Sequence, residues 1–197
     1  MLDENDMAIQ TMRSAAFVHP GERLTCLGCH EPKSESYAVK SGPPVAFRRA
    51  PSRLEPECGP VEPVSFHRQI EPIFQQRCVT CHAKERKGPQ SMGYGDLREA
   101  VFFFGGGFLG HTLDKAHGGS RSIPGRCGAA ASRIGQALLT QAHRAAVPEA
   151  ERHRVALWLD ANAPRYGAYH DTAAQERGER VWPLLDVDPA APLASAD

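Results

Sequence analysis

The chain has 197 residues, and its 23 lysines and arginines balance its 23 aspartates and glutamates, so its formal net charge is zero. Without an overall basic field, nucleic-acid binding is a poor explanation of its function. The length suits one domain or two small ones. No run of 18 apolar residues occurs, and the most apolar stretch, AVFFFGGGFLG, is broken by glycines, so we expect no membrane span.

The first predicted half, residues 1–60, contains a short motif in an otherwise irregular sequence. The stretch TCLGCHEP places Cys26, Cys29 and His30 in a Cys-x-x-Cys-His pattern, which is the attachment signature of c-type haem. From Glu31 to Pro63 prolines recur at a density that excludes helix. We therefore expect a wrapping loop or linker between two motif-bearing parts.

The second predicted half, residues 61–170, repeats the motif. The stretch RCVTCHAK places Cys78, Cys81 and His82 at the same spacing. A helix is predicted around it, with Pro72 in its first turn. On that helix Phe74 would share one face with the two cysteines and the histidine, and so would lie against a bound haem.

Three further helices complete the second half. The first is predicted at Asp96–Phe104, opened by an Asp96…Glu99 capping box and ended by three glycines. The second covers about Ala130–Ala142, with Ile134, Ala137, Leu138 and Ala142 facing inward. The third begins near Pro148 and ends at about Asn162, burying Val155, Trp158 and Leu159. Residues 171–197 are predicted to be a disordered tail, since they become charged and then rich in alanine and proline.

The paired motif determines the predicted chemistry. Two thiols at positions i and i+3 meet the two vinyl groups of the porphyrin, and the next histidine reaches the iron. Two such pentapeptides by chance in one chain would be very improbable. We therefore predict a mainly α-helical, cytochrome c-like dihaem domain with long Pro/Gly-rich loops. Its cofactors would be two covalently bound haem c groups, on Cys26 and Cys29 and on Cys78 and Cys81.

Structural zinc and a thioredoxin-like redox pair are the alternatives for these cysteines. A zinc site formed by the four cysteines would leave both motif histidines without a ligand role. The two cysteine pairs are also much farther apart in the sequence than in zinc ribbons. A redox pair would require a βαβ context that the sequence lacks. Cys58 and Cys127 lie in turn-rich segments and could form a disulfide, but their spacing does not establish one.

The sequence leaves the sixth ligand of each iron open. A strong second ligand makes the iron an electron carrier, whereas an open position allows a substrate to bind. The candidate ligands are His19, His67, His111, His117, His143, His153, His170, Met12 and Met92. Arginines beside the glycine turns are candidates for the haem propionates, although solvated arginines are the simpler explanation; they are Arg121, Arg126 and Arg133.

Four segments together resemble the hydrazine synthase alpha subunit-like family of planctomycete-type bacteria, in particular its C-terminal dihaem domain. They read HPGERLTCLGCHEP, IEPIFQQRCVTCHA, GGSRSIPGRCGAAASR and WLDANAPRYGAY, and the resemblance covers about residues 5–170. In that family the domain follows a β-propeller, which implies a propeller domain or subunit as partner. It also implies that the first haem lies in an active site and that the second haem is a bis-histidine electron carrier.

The resemblance implies specific ligands for the two haem irons. His82 would be the proximal ligand of the second iron, and the HRAAV segment makes His143 its distal ligand. At the first haem of that family, the motif histidine binds a zinc ion instead of the iron. A tyrosine one helical turn further on binds the iron. Here Ser34 occupies that place and the nearest tyrosine is Tyr37, so His30 becomes the expected ligand.

Haem attachment bears on the compartment and on the function. It normally takes place outside the cytoplasm, whereas the opening MLDENDMAIQ is not a secretory signal. We therefore expect a piece of a longer protein exported to the periplasm or another extracytoplasmic compartment.

Electron transfer with a redox partner protein is the leading hypothesis. The alternatives are a catalytic haem oxidoreductase acting on a small nitrogenous molecule at the first haem, and a zinc-binding interaction module.

Overall fold

The computed structural model describes residues 2–9, 50, 59–86, 88–97, 125 and 127–184. Helices make up 53% of these residues, and no strand occurs among them, which agrees with the predicted mainly α-helical class. The first motif, the proline-rich segment and most of the predicted Asp96–Phe104 helix lie outside the described residues.

The helices follow one another in short pieces around one longer helix. In the described part of the chain, a π-helical turn, Phe66–Ile70, is followed by eight α-helices. They are α1 (Glu71–Arg77), α2 (Val79–Glu85), α3 (Tyr94–Leu97), α4 (Gly128–Ala131), α5 (Arg133–Leu138), α6 (Gln141–Ala146), α7 (Glu149–Asp160) and α8 (Thr172–Glu176). No helix in the described part of the chain is long and apolar enough to cross a membrane.

Helix α7 forms the centre of the core. Its Val155, Trp158 and Leu159 are buried, at 0%, 1% and 1% exposure, as the sequence predicts. The Trp158 ring packs against Phe66 and Phe74, with ring centres 5.6 and 6.4 Å away. Edge and tilted ring contacts of this kind stabilise a core beyond the area they bury. The residues in front of the second motif are thus anchored on the central helix.

The end of α7 differs slightly from the prediction. The helix stops at Asp160 rather than at about Asn162, because Asn162 and Ala163 adopt left-handed backbone conformations with φ of 71° and 47°. Their amides donate to the carbonyls of Leu159 and Trp158, the paired bonds of a Schellman motif. The indole of Trp158 then donates to the Pro164 carbonyl at 3.0 Å.

The helix predicted over about Ala130–Ala142 is corrected to three short helices. Ser132 and Thr140 adopt extended conformations, with ψ of 145° and 151°, and begin α5 and α6. The Ser132 hydroxyl accepts from the Gly135 amide at 2.8 Å, a bond typical of helix N-caps. Because the helix direction changes at these caps, Leu138 is buried but Ala142, predicted to face inward, is exposed.

Two other boundaries are corrected. Helix α3 begins at Tyr94, before Asp96, whose carboxylate accepts a hydrogen bond from the Ser91 hydroxyl. Within the predicted tail, Thr172–Glu176 form α8, whose Gln175 is buried and bonds to the backbone of residues 167–170. Residues 185–197 of the predicted tail lie outside the described residues.

Candidate functional site

The second motif lies at the junction of α1 and α2. The Cys78 amide donates to the Phe74 carbonyl at 2.9 Å, and the His82 amide donates to the Cys78 carbonyl at 3.0 Å. Helical bonding therefore continues through the junction, and Phe74, Cys78 and His82 line one cavity, as the sequence predicts. Cys81, which the sequence pattern places on the same face, is exposed and is not among the lining residues, so that part of the prediction is wrong.

The cavity has a volume of about 240 Å³ and is mostly apolar. Its walls come from α1, α2, α5, α6 and the segment around α3. The remaining lining residues are Gly88, Pro89, Met92, Leu97, Arg133, Ile134, Ala137, Leu138 and His143. Sites for cofactor-sized ligands usually hold roughly 300–1,000 Å³, so a porphyrin would more than fill this space.

Two histidines face each other across this cavity. His82 lies on α2 and His143 on α6, and their ring centres are 6.3 Å apart with the planes inclined by 54°. A metal ion bonded at about 2 Å to one nitrogen of each ring would place the ring centres roughly 6 Å apart. The separation of the two rings is therefore compatible with one metal ion bound by a nitrogen of each.

The hydrogen bonding of the two rings differs. Nδ1 of His143 lies 2.8 Å from the Thr140 hydroxyl oxygen. Nδ1 of His82 is buried and has no hydrogen-bond partner among the described residues. A Cβ on Gly88 would lie 3.4 Å from that nitrogen, so the loop after α2 covers it. A buried, unpaired ring nitrogen calls for an explanation.

By donor chemistry, though not by the volume of the cavity, the residues present suit haem better than a metal ion held by protein ligands alone. No group of three or more possible metal-binding side chains occurs among the described residues. Haem iron requires at most two protein ligands, because the porphyrin supplies the other four. Burial, together with the charges of Cys81 and Glu151, raises the pKa of the Cys78 thiol to about 11. A zinc ion would have to displace that proton before it could bind the sulfur.

Several other predicted residues can be located. Met92 lines the same cavity, is 3% exposed and has a φ of 55°; a positive φ is uncommon for a residue of this size. Arg133 also lines the cavity. His67, His153 and His170 contact Glu71, Asp6 and Asp171 instead.

Only one of the other predicted cysteines lies in the described part of the chain. Cys127 is buried, and its sulfur lies 3.6 Å from the Ala8 carbonyl oxygen. Its suggested disulfide partner, Cys58, lies outside the described residues. The same holds for Met12, His19, Cys26, Cys29, His30, Ser34, Tyr37, His111, His117, Arg121 and Arg126. The first haem site therefore stays a prediction.

Sequence reasoning missed two residues of the site. Thr140 begins α6 and holds the His143 ring, and a threonine directly before a helical segment is a signal of an N-cap. Gly88 closes over His82 with a φ of 65°, and the Gly88-Pro89 dipeptide is a turn signal.

Comparison with known proteins gives one match. A family model described as the hydrazine synthase alpha subunit middle domain matches residues 1–31, a stretch that includes Cys26, Cys29 and His30. Searches of curated proteins and of solved structures found no significant match.

Proposed function

We propose that the chain is a dihaem c-type cytochrome domain that transfers single electrons. The observation that carries the proposal is the pair formed by His82 and His143, whose ring centres are 6.3 Å apart across an apolar cavity beside Cys78. When bound, haem supplies a one-electron iron couple. Cys78 and Cys81 would hold it covalently, and the two imidazoles would complete the coordination of its iron.

The surroundings of the histidine pair support electron transfer rather than substrate binding at this haem. If His82 and His143 both bound the iron, no position would be left open for a small molecule. Apolar walls from Phe74, Leu97 and Leu138 would exclude water and so limit the solvent rearrangement that accompanies a change of charge.

The first haem belongs to the proposal by its sequence alone. Cys26 and Cys29 would attach it, and His30 would bind its iron. A redox partner protein would deliver or remove the electrons. Covalent attachment of haem implies maturation in the periplasm or another extracytoplasmic compartment.

The test uses the full chain exported together with a haem-attachment system. A pyridine haemochrome assay should give two haems per chain. It should give one haem per chain after Cys78 and Cys81 are both replaced by alanine. Colourless protein with zinc by elemental analysis would overturn the proposal and favour the zinc-binding module.

A second measurement tests the ligand pair. His143→Ala should convert one of the two haems from low spin to high spin in the absorption spectrum, because one strong ligand is lost. His153→Ala is the matched control, since this histidine lies on α7 and faces Asp6 at 3.6 Å. An unchanged spectrum of the His143 variant would refute the assignment of His143.

A catalytic function is the second candidate, and the match of residues 1–31 to the hydrazine synthase alpha subunit middle domain favours it. A catalytic haem oxidoreductase would act on a small nitrogenous molecule at the first haem, with a propeller domain or subunit as neighbour. It requires an open or weakly bound position on that iron. Rapid binding of carbon monoxide by the reduced wild-type protein would support it, and no binding by either haem would exclude it.

A further inference from the structure

Thr140 occupies a particular position relative to His143. It precedes α6, and its hydroxyl oxygen lies 2.8 Å from the Ala137 carbonyl oxygen and 2.8 Å from Nδ1 of His143. The Arg144 amide donates to the Thr140 carbonyl at 2.9 Å. The same residue therefore begins the helix and contacts the ring that this helix carries.

The two contacts of the hydroxyl determine the proton on the imidazole. A threonine hydroxyl has one hydrogen and two lone pairs, whereas a carbonyl oxygen can only accept. With the hydroxyl hydrogen donated to the Ala137 carbonyl, the bond to the ring runs from Nδ1–H of His143 to the hydroxyl oxygen. A neutral imidazole with its proton on Nδ1 has a lone pair on Nε2.

The geometry points to Thr140 as the positioning residue of the candidate haem site, selecting the tautomer of His143 in which Nε2 is ready to bind iron. This inference rests on the proposed function, and concerns a residue that would never touch the haem. A hydrogen bond from the far nitrogen of a ligating histidine also makes the ligand more basic. Thr140 would thereby favour the oxidised iron and lower its reduction potential.

The location of His143 explains why such a residue is required. Helix α6 has six residues, and none of them is buried. Packing against the core therefore does little to orient the His143 ring, and a directed hydrogen bond can supply what packing does not. By contrast, the Gly88 loop covers the ring of His82.

The experiment compares wild type, Thr140→Val and Thr140→Ser in the matured full chain. In the reduced, low-spin protein with ¹⁵N-labelled histidine, the Nδ1 proton of His143 should exchange slowly in wild type and in the serine variant. In the valine variant it should exchange at least roughly tenfold faster, the factor expected for loss of one ordinary hydrogen bond. The potential of the second haem should rise in the valine variant and return with serine.

Ser132→Ala is the matched control, because it removes the N-cap hydroxyl of α5, which bonds to Gly135 and not to an imidazole. It should lower stability without changing the exchange of the His143 proton or the potential. Equal behaviour of the valine and serine variants would overturn the inference. If the valine variant does not fold, the wild-type protein provides the test. A His143 ring without a proton on Nδ1 would overturn the inference.

The role of Thr140 and the ligand role of His143 can fail separately. If His143→Ala leaves both haems low spin, the ligand assignment of the proposed function is wrong. If that variant becomes high spin while Thr140→Val matches wild type in exchange and potential, only the role of Thr140 is wrong.

Discussion

Arg77 donates two parallel hydrogen bonds to Glu151, from Nε at 2.8 Å and from Nη2 at 2.9 Å. Arg77 is the last residue of α1 and directly precedes Cys78, whereas Glu151 lies in the first turn of α7. The planar guanidinium and carboxylate match in shape, which makes this kind of pair directional. The pair therefore fixes the end of α1, and with it the start of the second motif, to the central helix.

The Arg77–Glu151 pair predicts a pH dependence of stability. The hydrogen bond from Arg77 lowers the pKa of Glu151 below its ordinary value of 4.5. A carboxylate with a lowered pKa in the folded state stabilises the fold above its unfolded-state pKa, and this contribution is lost as the pH falls through the folded-state value. Glu151→Gln should therefore reduce stability at pH 7, and the difference from wild type should shrink below about pH 4.5.

Urea unfolding of wild type and Glu151→Gln at several pH values measures this effect. Glu149→Gln, at an exposed position in the same helical turn, is the control and should show a much smaller difference. A constant gap between wild type and Glu151→Gln from pH 7 to pH 3 would contradict the role given to this carboxylate.

A second prediction concerns Asp160, at the end of α7. Its carboxylate accepts from the amide of Ala8 at 2.8 Å and from the amide of Ala129 at 2.7 Å. Asp160→Ala leaves both donors without this acceptor, and each buried donor left unpaired costs roughly 1–3 kcal/mol. The variant should unfold at lower urea, and both residues 2–9 and α4 should lose protection in hydrogen exchange.

Asp3 provides the control for Asp160. Its carboxylate also accepts two amide bonds, from Asn5 and Met7, but only within the N-terminal segment. Asp3→Ala should affect that segment without reducing protection in α4. Equal loss of α4 protection in both variants would show that Asp160 does not join the two elements.

A third prediction concerns the wall of the cavity. A Cβ on Gly135 would lie 2.0 Å from the Ala129 carbonyl oxygen, so Gly135→Ala must push α5 away from α4. Because α5 carries Ile134 and Leu138 on the cavity wall, the variant should lower the stability and, if the proposed function is right, the fraction of chains that carry a second haem. The measurements are thermal unfolding and the haem count.

Gly95→Ala is the matched substitution. Nothing lies within 4 Å of a Cβ at this helical position, and alanine is favoured over glycine in helices by roughly 0.5–1 kcal/mol. This variant should be as stable as wild type or slightly more stable. A Gly135 variant that behaves like the Gly95 variant would mean that the contact between α4 and α5 can relax.

A fourth prediction concerns Gln175, which is 1% exposed. Its side-chain oxygen accepts from the Gly167 and Ala168 amides, and its nitrogen donates to the Ala168 and His170 carbonyls. Gln175→Leu removes these bonds while roughly preserving volume, so residues 166–176 should exchange hydrogen faster. Gln76→Leu, at an exposed position on α1, should not change that exchange. Unchanged protection in the Gln175 variant would contradict this role.

Part of this architecture could be predicted from the sequence. Apolar periodicity located α7 and its buried residues, because a regular helix leaves a repeating pattern. The motif spacing placed Phe74, Cys78 and His82 together for the same reason. The resemblance to a family, not the spacing, suggested His143, and the structure places its ring opposite His82.

The features that could not be predicted depend on local capping and on distant contacts. Ser132, whose hydroxyl accepts from the Gly135 amide, and Thr140, whose backbone is extended, divide one apolar pattern into three helices, and periodicity does not detect such caps. Order beyond residue 171 depends on Gln175, whose bonds go to backbone groups and so leave no mark on the apolar pattern.

The bond between the Ala8 amide and Asp160 joins residues separated by 152 positions. During synthesis residues 2–9 leave the ribosome well before Asp160, which emerges only after nearly all the described helices have been made. Closing so long a loop carries an entropic cost that α4 and α7 must offset. Residues 2–9 would accordingly join the core at a late stage of folding.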